Sequence, residues 1–147
     1  MIRKASAVWK GSLKEGQGTV STESGALSSA SYSFSTRFEN AHGTNPEELI
    51  AAAHAGCFTM ALSAQLGNAG ITPENLETTA SLTIEKLEAG FTVTKIHLDV
   101  VARIPGADPA AFQKAAENAK AGCPISRLLK TEITMTAKLS SEQAKSA

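Results

Sequence analysis

The sequence has no net charge: fourteen Lys and Arg stand against fourteen Asp and Glu. No general attraction to nucleic acid or to an anionic membrane follows from such a balance, so neither is an expected partner. There is no apolar run behind the charged opening Met1-Ile2-Arg3-Lys4-Ala5, so no secretory signal is read and the expected compartment is the cytoplasm. Repeats and linkers are absent too, and 147 residues with 42% apolar and 19% charged composition read as a single domain, 1–147, with a frayed polar tail over 140–147. His42, His54, His97, Cys57 and Cys123 match no paired ligand spacing, which disfavours a structural metal. Gly16-Gln17-Gly18 lacks the Gly-Lys-Ser/Thr of a phosphate loop and is read as a turn. Cysteine is scarce. Cys57 and Cys123 lie 66 positions apart, and in a reducing compartment such a pair is catalytic, redox-sensing or simply buried rather than a structural disulfide.

What is present is a long helix with a complete start signal. Asn45 is the expected N-cap, Pro46 the first helical residue, and Glu48 the third position of a capping box. From Leu49 the stretch carries no charge, and it ends near Gly67 or Gly70. The run approaches membrane-spanning length, but His54, Gln65, Asn68 and glycines interrupt it, so a buried helix of a soluble fold is expected. Apolar residues face every side of it, and such a helix is covered all round. One small sheet and a short second helix cannot do that alone, which predicts an intimate homodimer in which two such helices pack together.

Around this axle the pattern predicts strands over 2–10 and from Gly16 to Ser21. Tyr32, Phe34, Thr36 and Phe38 alternate with Ser33, Ser35 and Arg37 and are read as a third strand. Two long strands follow, Leu76 to Lys86 and Phe91 to Ile104, the second with Ile96, Leu98, Val100, Ala102 and Ile104 inward. Asp108-Pro109 starts a helix with Phe112, Ala115, Ala116 and Ala119 as its packing face, ending at Gly122. Cys123 then caps a fresh helical turn at Pro124, and Thr131 to Leu139 form a last strand. The order βββαββαβ predicts an α+β fold with mostly antiparallel sheets around a long central helix.

Local chemistry leaves several readings open. A thiolate is the reactive form of cysteine, and burial among alanines raises the pKa of Cys57. Cys123 at a helix start is the more acidic thiol by local sequence. His54, three residues before Cys57, permits a cysteine-histidine hydrolase pair, or is a hydrogen-bonded core histidine. Arg37 is a solvated arginine on an open sheet face or a partner for an anion. Glu47 is not needed to start the helix, and ten residues separate it from Cys57, about 15 Å of helical rise. A glutamate serving that thiol must therefore come from a partner subunit.

The assembled motifs resemble the osmotically inducible protein C and organic hydroperoxide resistance family, the osmotically inducible branch above all. The matching stretches are Gly18 to Gly25, Thr36-Arg37-Phe38-Glu39, Gly43 to Ile50, Ala53-His54-Ala55-Gly56-Cys57-Phe58 and Lys120-Ala121-Gly122-Cys123-Pro124-Ile125-Ser126. The likeness covers essentially the whole chain. Gly56 stands where alanine is common and Ile125 where valine is. The resemblance implies an intertwined homodimer and a cytoplasmic thiol peroxidase in stress defence that needs no metal, haem or flavin. It implies Cys57 as the peroxidatic cysteine, Cys123 as the resolving cysteine, Arg37 as the cation beside the thiolate, and Glu47 as the residue holding Arg37. The implied substrates are alkyl or lipid hydroperoxides, and the implied reductant is a dithiol, with a dihydrolipoyl group the expectation from the organic hydroperoxide branch. That branch commonly has tyrosine at the place of His54, so a histidine base is not a general requirement. A redox sensor using the same disulfide, or a Cys57-His54 esterase, are the alternative functions.

Overall fold

Thirteen residues from His54 to Leu66 place one side chain per helical turn against a sheet, and that stripe sets the architecture of the larger part of the chain. The structure, a computed structural model, describes residues 1–140, so the tail expected to fray lies, from 141 onward, outside the described residues. Contacts group the chain into two compact units, Met1–Leu49 and the part from Ile50 onward. Each is described by itself.

The first unit holds an antiparallel sheet of β1 (Ala5–Lys10), β2 (Gln17–Thr22) and β3 (Ala30–Tyr32), in that order. Trp9, Gly18 and Tyr32 align across the three strands, and the two rings lie 5.5 Å apart between centroids. A Cβ on Gly18 would sit 2.5 Å from the Tyr32 ring and 2.6 Å from the Trp9 ring, so the strand passes there only as glycine. The expected glycine turn is thus divided: Gln17 and Gly18 belong to β2, and the turn precedes them at 13–15.

The segment read as a strand from Tyr32 to Phe38 is strand only to Tyr32. Phe34–Phe38 form a one-turn helix, α1. The cause is local. Ser33 is its N-cap, accepting the Thr36 N–H at 3.3 Å, while the Thr36 hydroxyl oxygen accepts the Ser33 N–H at 2.8 Å. Phe34 and Phe38, two strand repeats apart, are also one helical turn apart, and their rings meet at 5.0 Å.

The long helix α2 spans Pro46–Asn68. Asn45 Oδ1 accepts the Glu48 N–H at 2.8 Å as expected of an N-cap, but the Glu48 carboxylate takes the Thr44 hydroxyl, at 2.9 Å, as its bond within this turn. At the far end Gly70 adopts φ +76 and the Ile71 N–H returns to the Leu66 carbonyl at 2.9 Å, which stops the helix.

In the second unit β4 (Asn75–Leu87) and β5 (Gly90–Arg103) form a long antiparallel hairpin, and β6 (Glu132–Leu139) joins β5 in parallel. A parallel neighbour requires a crossover connection. Helices α3 (Pro109–Gly122) and α4 (Pro124–Leu128) supply it. Asp108 caps α3 by accepting the Ala111 N–H at 3.2 Å. The core combines Phe58, Leu62 and Leu66 of α2, the expected inward face of β5, and Phe112, Ala115, Ala116 and Ala119 of α3.

Within one chain α2 is not covered all round. Its buried residues are the single stripe His54, Phe58, Leu62 and Leu66, while Met60 is 77% exposed. By length and composition alone α2 could cross a membrane, and 22% of its most apolar stretch is buried.

Phe112 is fully buried in the first turn of α3. Phe112→Ala is expected to cost about 3–5 kcal/mol of unfolding free energy. Urea denaturation checks this, and a loss under about 1 kcal/mol would mean that α3 does not pack through that ring.

Candidate active site

Four side chains converge where α2 meets α4. Cys57 sits on α2 one position before the buried Phe58 and is partly exposed. Cys123, fully buried, joins two helices: its N–H closes α3 on the Ala119 carbonyl at 2.9 Å, and its carbonyl accepts the Arg127 N–H of α4 at 3.0 Å. Pro124 at the first position of α4 forces the break between them. Both cysteines are free, and their sulfurs lie 2.8 Å apart. A disulfide needs about 2.05 Å, so the two sulfurs are already near bonding distance.

The electrostatics of this pair oppose ionisation. Burial pushes the Cys57 thiol up, and the neighbouring Cys123 sulfur adds to the effect; the backbone N–H of Ile125 pulls the other way. No cation is among the groups that shift it. Cys123 makes no side-chain bond to the start of α4, a helix of five residues.

His54 is fully buried, and its Nε2 lies 2.8 Å from the Ser126 hydroxyl. Burial pulls its pKa below the usual histidine range, which leaves the ring neutral, and Nδ1 has no hydrogen-bond partner. Nε2 is therefore engaged by Ser126. Sequence reasoning passed over Ser126. Both offsets of three, His54 to Cys57 and Cys123 to Ser126, are visible in the chain, but nothing local says that they meet across 72 residues.

Arg37 and Glu47, both in the first unit, form a fork. Arg37 Nε donates to both Glu47 oxygens at 3.1 Å, and a terminal nitrogen donates to Oε1 as well. Arg37 stands in the last turn of α1 and Glu47 in the first turn of α2, each where the helix dipole favours its charge. The two helix ends are tied further by Asn45, whose Nδ2 donates to the Thr36 carbonyl at 3.1 Å. Burial is the largest single influence on Glu47 and raises its pKa, but the hydrogen bonds from Arg37, a backbone hydrogen bond and the Arg37 charge together outweigh it and bring the carboxyl below its ordinary value. The same contact raises the Arg37 pKa. The guanidinium carbon also lies 5.1 Å from the Phe38 ring centroid. Beside it is a cavity of about 260 Å³ lined by Trp9, Leu13, Tyr32, Phe34, Arg37 and Phe38. Among the described residues no group of three His, Cys, Asp or Glu is placed to hold a metal ion.

Comparison with known proteins places the chain in a class of redox proteins. The family model described as OsmC-like protein matches residues 39–138, and the chain belongs to this family. It is 53% identical over 139 residues to the peroxiredoxin OsmC of Escherichia coli K12, a match covering 95% of this chain and 97% of that one. It is 30% identical over 95 residues to the organic hydroperoxide resistance protein of Xanthomonas axonopodis pv. citri, covering 64% and 65% of the two. A solved organic hydroperoxide resistance protein from Elizabethkingia anophelis shares the fold, with a TM-score of 0.72, 24% identity, and coverage of 95% and 97%. The mixed α+β fold with two small sheets and a long helix is that of these structures.

Glu47 has a folded pKa below its ordinary value of 4.5, so the stability it contributes is present above pH 4.5 and is lost as pH falls further. Thermal melts of the wild type and Glu47→Gln, followed from pH 6 to pH 3, should differ by up to about 1 kcal/mol at pH 6 and converge at the acid end. Parallel curves across the range would show that the fork contributes nothing pH-dependent.

Proposed function

We propose that this protein is a thiol-dependent peroxidase acting on organic hydroperoxides. The observation that carries the reading is a pair of free sulfurs 2.8 Å apart, one partly exposed and one buried, in a chain 53% identical to a named peroxiredoxin. The Cys57 thiolate attacks the outer oxygen of the hydroperoxide and the O–O bond breaks. The alkoxide leaves, takes a proton and becomes the alcohol, and Cys57 is left as a sulfenic acid. The Cys123 sulfur then attacks the Cys57 sulfur. Hydroxide leaves with the Cys123 proton as water, and the Cys57–Cys123 disulfide forms. An external dithiol, with a dihydrolipoyl group the leading candidate, returns both thiols.

A partly buried thiol whose pKa is raised and that has no cation beside it is a poor nucleophile. Arg37 is the residue we assign to the Cys57 thiolate and the departing oxygen, with Glu47 fixing the fork. Its ion pair supports this, because a guanidinium held by a bidentate carboxylate keeps its orientation as well as its charge. Glu47 and Cys57 lie ten residues apart on one helix, about 15 Å of rise, so the pair serving a given cysteine is assigned to the partner of a homodimer. The open faces of α2, with Met60 77% exposed, favour the same assembly. The aromatic cavity beside Arg37 suits an alkyl group better than the small polar hydrogen peroxide.

Cys57→Ser is expected to abolish consumption of cumene hydroperoxide under a dithiol reductant. Cys123→Ser should complete a single turnover and leave a sulfenic acid that dimedone traps. Native turnover in Cys57→Ser would sink the proposal. For the assembly, Met60→Glu is expected to move the species seen by sedimentation velocity from dimer toward monomer; an unchanged dimer would place the interface elsewhere.

A further inference from the structure

His54 occupies the first position of the buried α2 stripe, ahead of Phe58, Leu62 and Leu66. An apolar residue there would extend the core, whereas the imidazole leaves Nδ1 buried with no partner. Leaving a buried polar atom unsatisfied costs more than a single hydrogen bond returns. On packing alone the histidine is no better than a leucine. What it supplies is direction, because a hydrogen bond fixes register where an apolar contact slides.

The direction it fixes is that of α4. This helix has five residues, too few to hold its own conformation, and Ser126 is its one buried residue. Ile125 and Leu129 give it partial apolar anchorage. Beside the Ile125 N–H that faces the Cys57 sulfur, two side-chain contacts link α2 to α4 and its cap: Cys57 with Cys123 at 2.8 Å, and His54 Nε2 with Ser126 Oγ at 2.8 Å. Counting backward from Cys57 and forward from Cys123, the second contact falls three residues on in each segment. The two segments therefore run antiparallel where they meet, with the hydrogen bond one helical turn from the sulfurs.

We propose that His54 and Ser126 are positioning residues for the resolving step, their hydrogen bond holding the Cys123 sulfur in line with Cys57 while Cys57 is oxidised. This rests on the peroxidase reading for its place in the cycle, though not for its geometry. Oxidation adds an oxygen to the Cys57 sulfur, which must be accommodated beside Cys123 before the disulfide closes. Without a second anchor, α4 can yield as a unit and the resolving sulfur leaves attack range. With one, the displacement is confined and closure stays intramolecular and fast. His54 takes no proton in this scheme, since the Cys123 proton leaves with the hydroxide as water.

The test separates closure from the first oxidation. One equivalent of cumene hydroperoxide is added to reduced protein, and quenched samples are mass-mapped for sulfenic acid and disulfide. In Ser126→Ala and His54→Leu the ratio of the closure rate to the sulfenic-acid formation rate is expected to fall tenfold or more, with sulfinic acid appearing under excess peroxide. Ser126→Thr, which keeps the hydroxyl, should restore the ratio. In a glutathione redox buffer, where Cys123 displaces glutathione from a Cys57 mixed disulfide, the effective concentration of the pair should fall by a similar factor. A native ratio and a native effective concentration in both variants would overturn the proposal, as would an equal loss of both steps in Ser126→Ala and Ser126→Thr. If the wild type ignores hydroperoxides but the glutathione measurement still separates Ser126→Ala from Ser126→Thr, the peroxidase reading fails and the positioning role stands.

Discussion

The stripe from His54 to Leu66 has to stay dry for the sulfur pair to exist. Phe58, Leu62 and Leu66 are held against β5 and α3, and the same packing that buries them brings Cys123, at the end of α3, onto Cys57. At about 25 cal/mol per Å² of apolar surface removed from water, three such side chains are among the larger contributions the unit has. The chemistry sits one helical position away from them.

That dependence creates an electrostatic conflict. The dryness that brings the thiols together also disfavours a thiolate, and burial is the largest influence on Cys57. The Ile125 N–H opposes it only in part. A fixed positive charge is the remedy that buried anions generally need, and the chain contains one whose geometry is set in advance: Arg37, forked to Glu47 between two helix ends. Its counter-ion keeps it from being a bare charge when no anion is present. Under the proposed function the fork is the part that makes a partly buried thiol reactive.

Much of this was legible in the sequence where the cause is local. The inward face of β5, the packing face of α3 and the caps at Asn45 and Asp108 follow from spacing and from single side-chain bonds, and the structure has them. Phe34 and Phe38 misled because their separation of four satisfies a strand and a helix alike; the deciding bond, Ser33 with Thr36, was the sequence signal to weigh. The contact of His54 with Ser126, and the parallel docking of β6 on β5, depend on how distant segments return. Periodicity carries no information about that. The two cysteines could be named from motif resemblance, and the upward push of burial on the Cys57 thiol was expected from the alanines around it.

The unequal exposure of the two sulfurs gives a physical reason for the proposed division of roles. A peroxide arrives from solvent, so the thiol that meets it must be reachable, and Cys57 is the partly exposed member. The resolving thiol meets only an oxidised neighbour, and Cys123 is fully buried beside it. Burial also protects Cys123 from direct oxidation, which would otherwise compete with closure. If the roles were exchanged, the peroxide would have to enter the core and the resolving thiol would be exposed to oxidant. Exposure thus ranks the two cysteines in the order that local helix-start chemistry reversed, and it does so from the packing of α2 and α3 rather than from either motif.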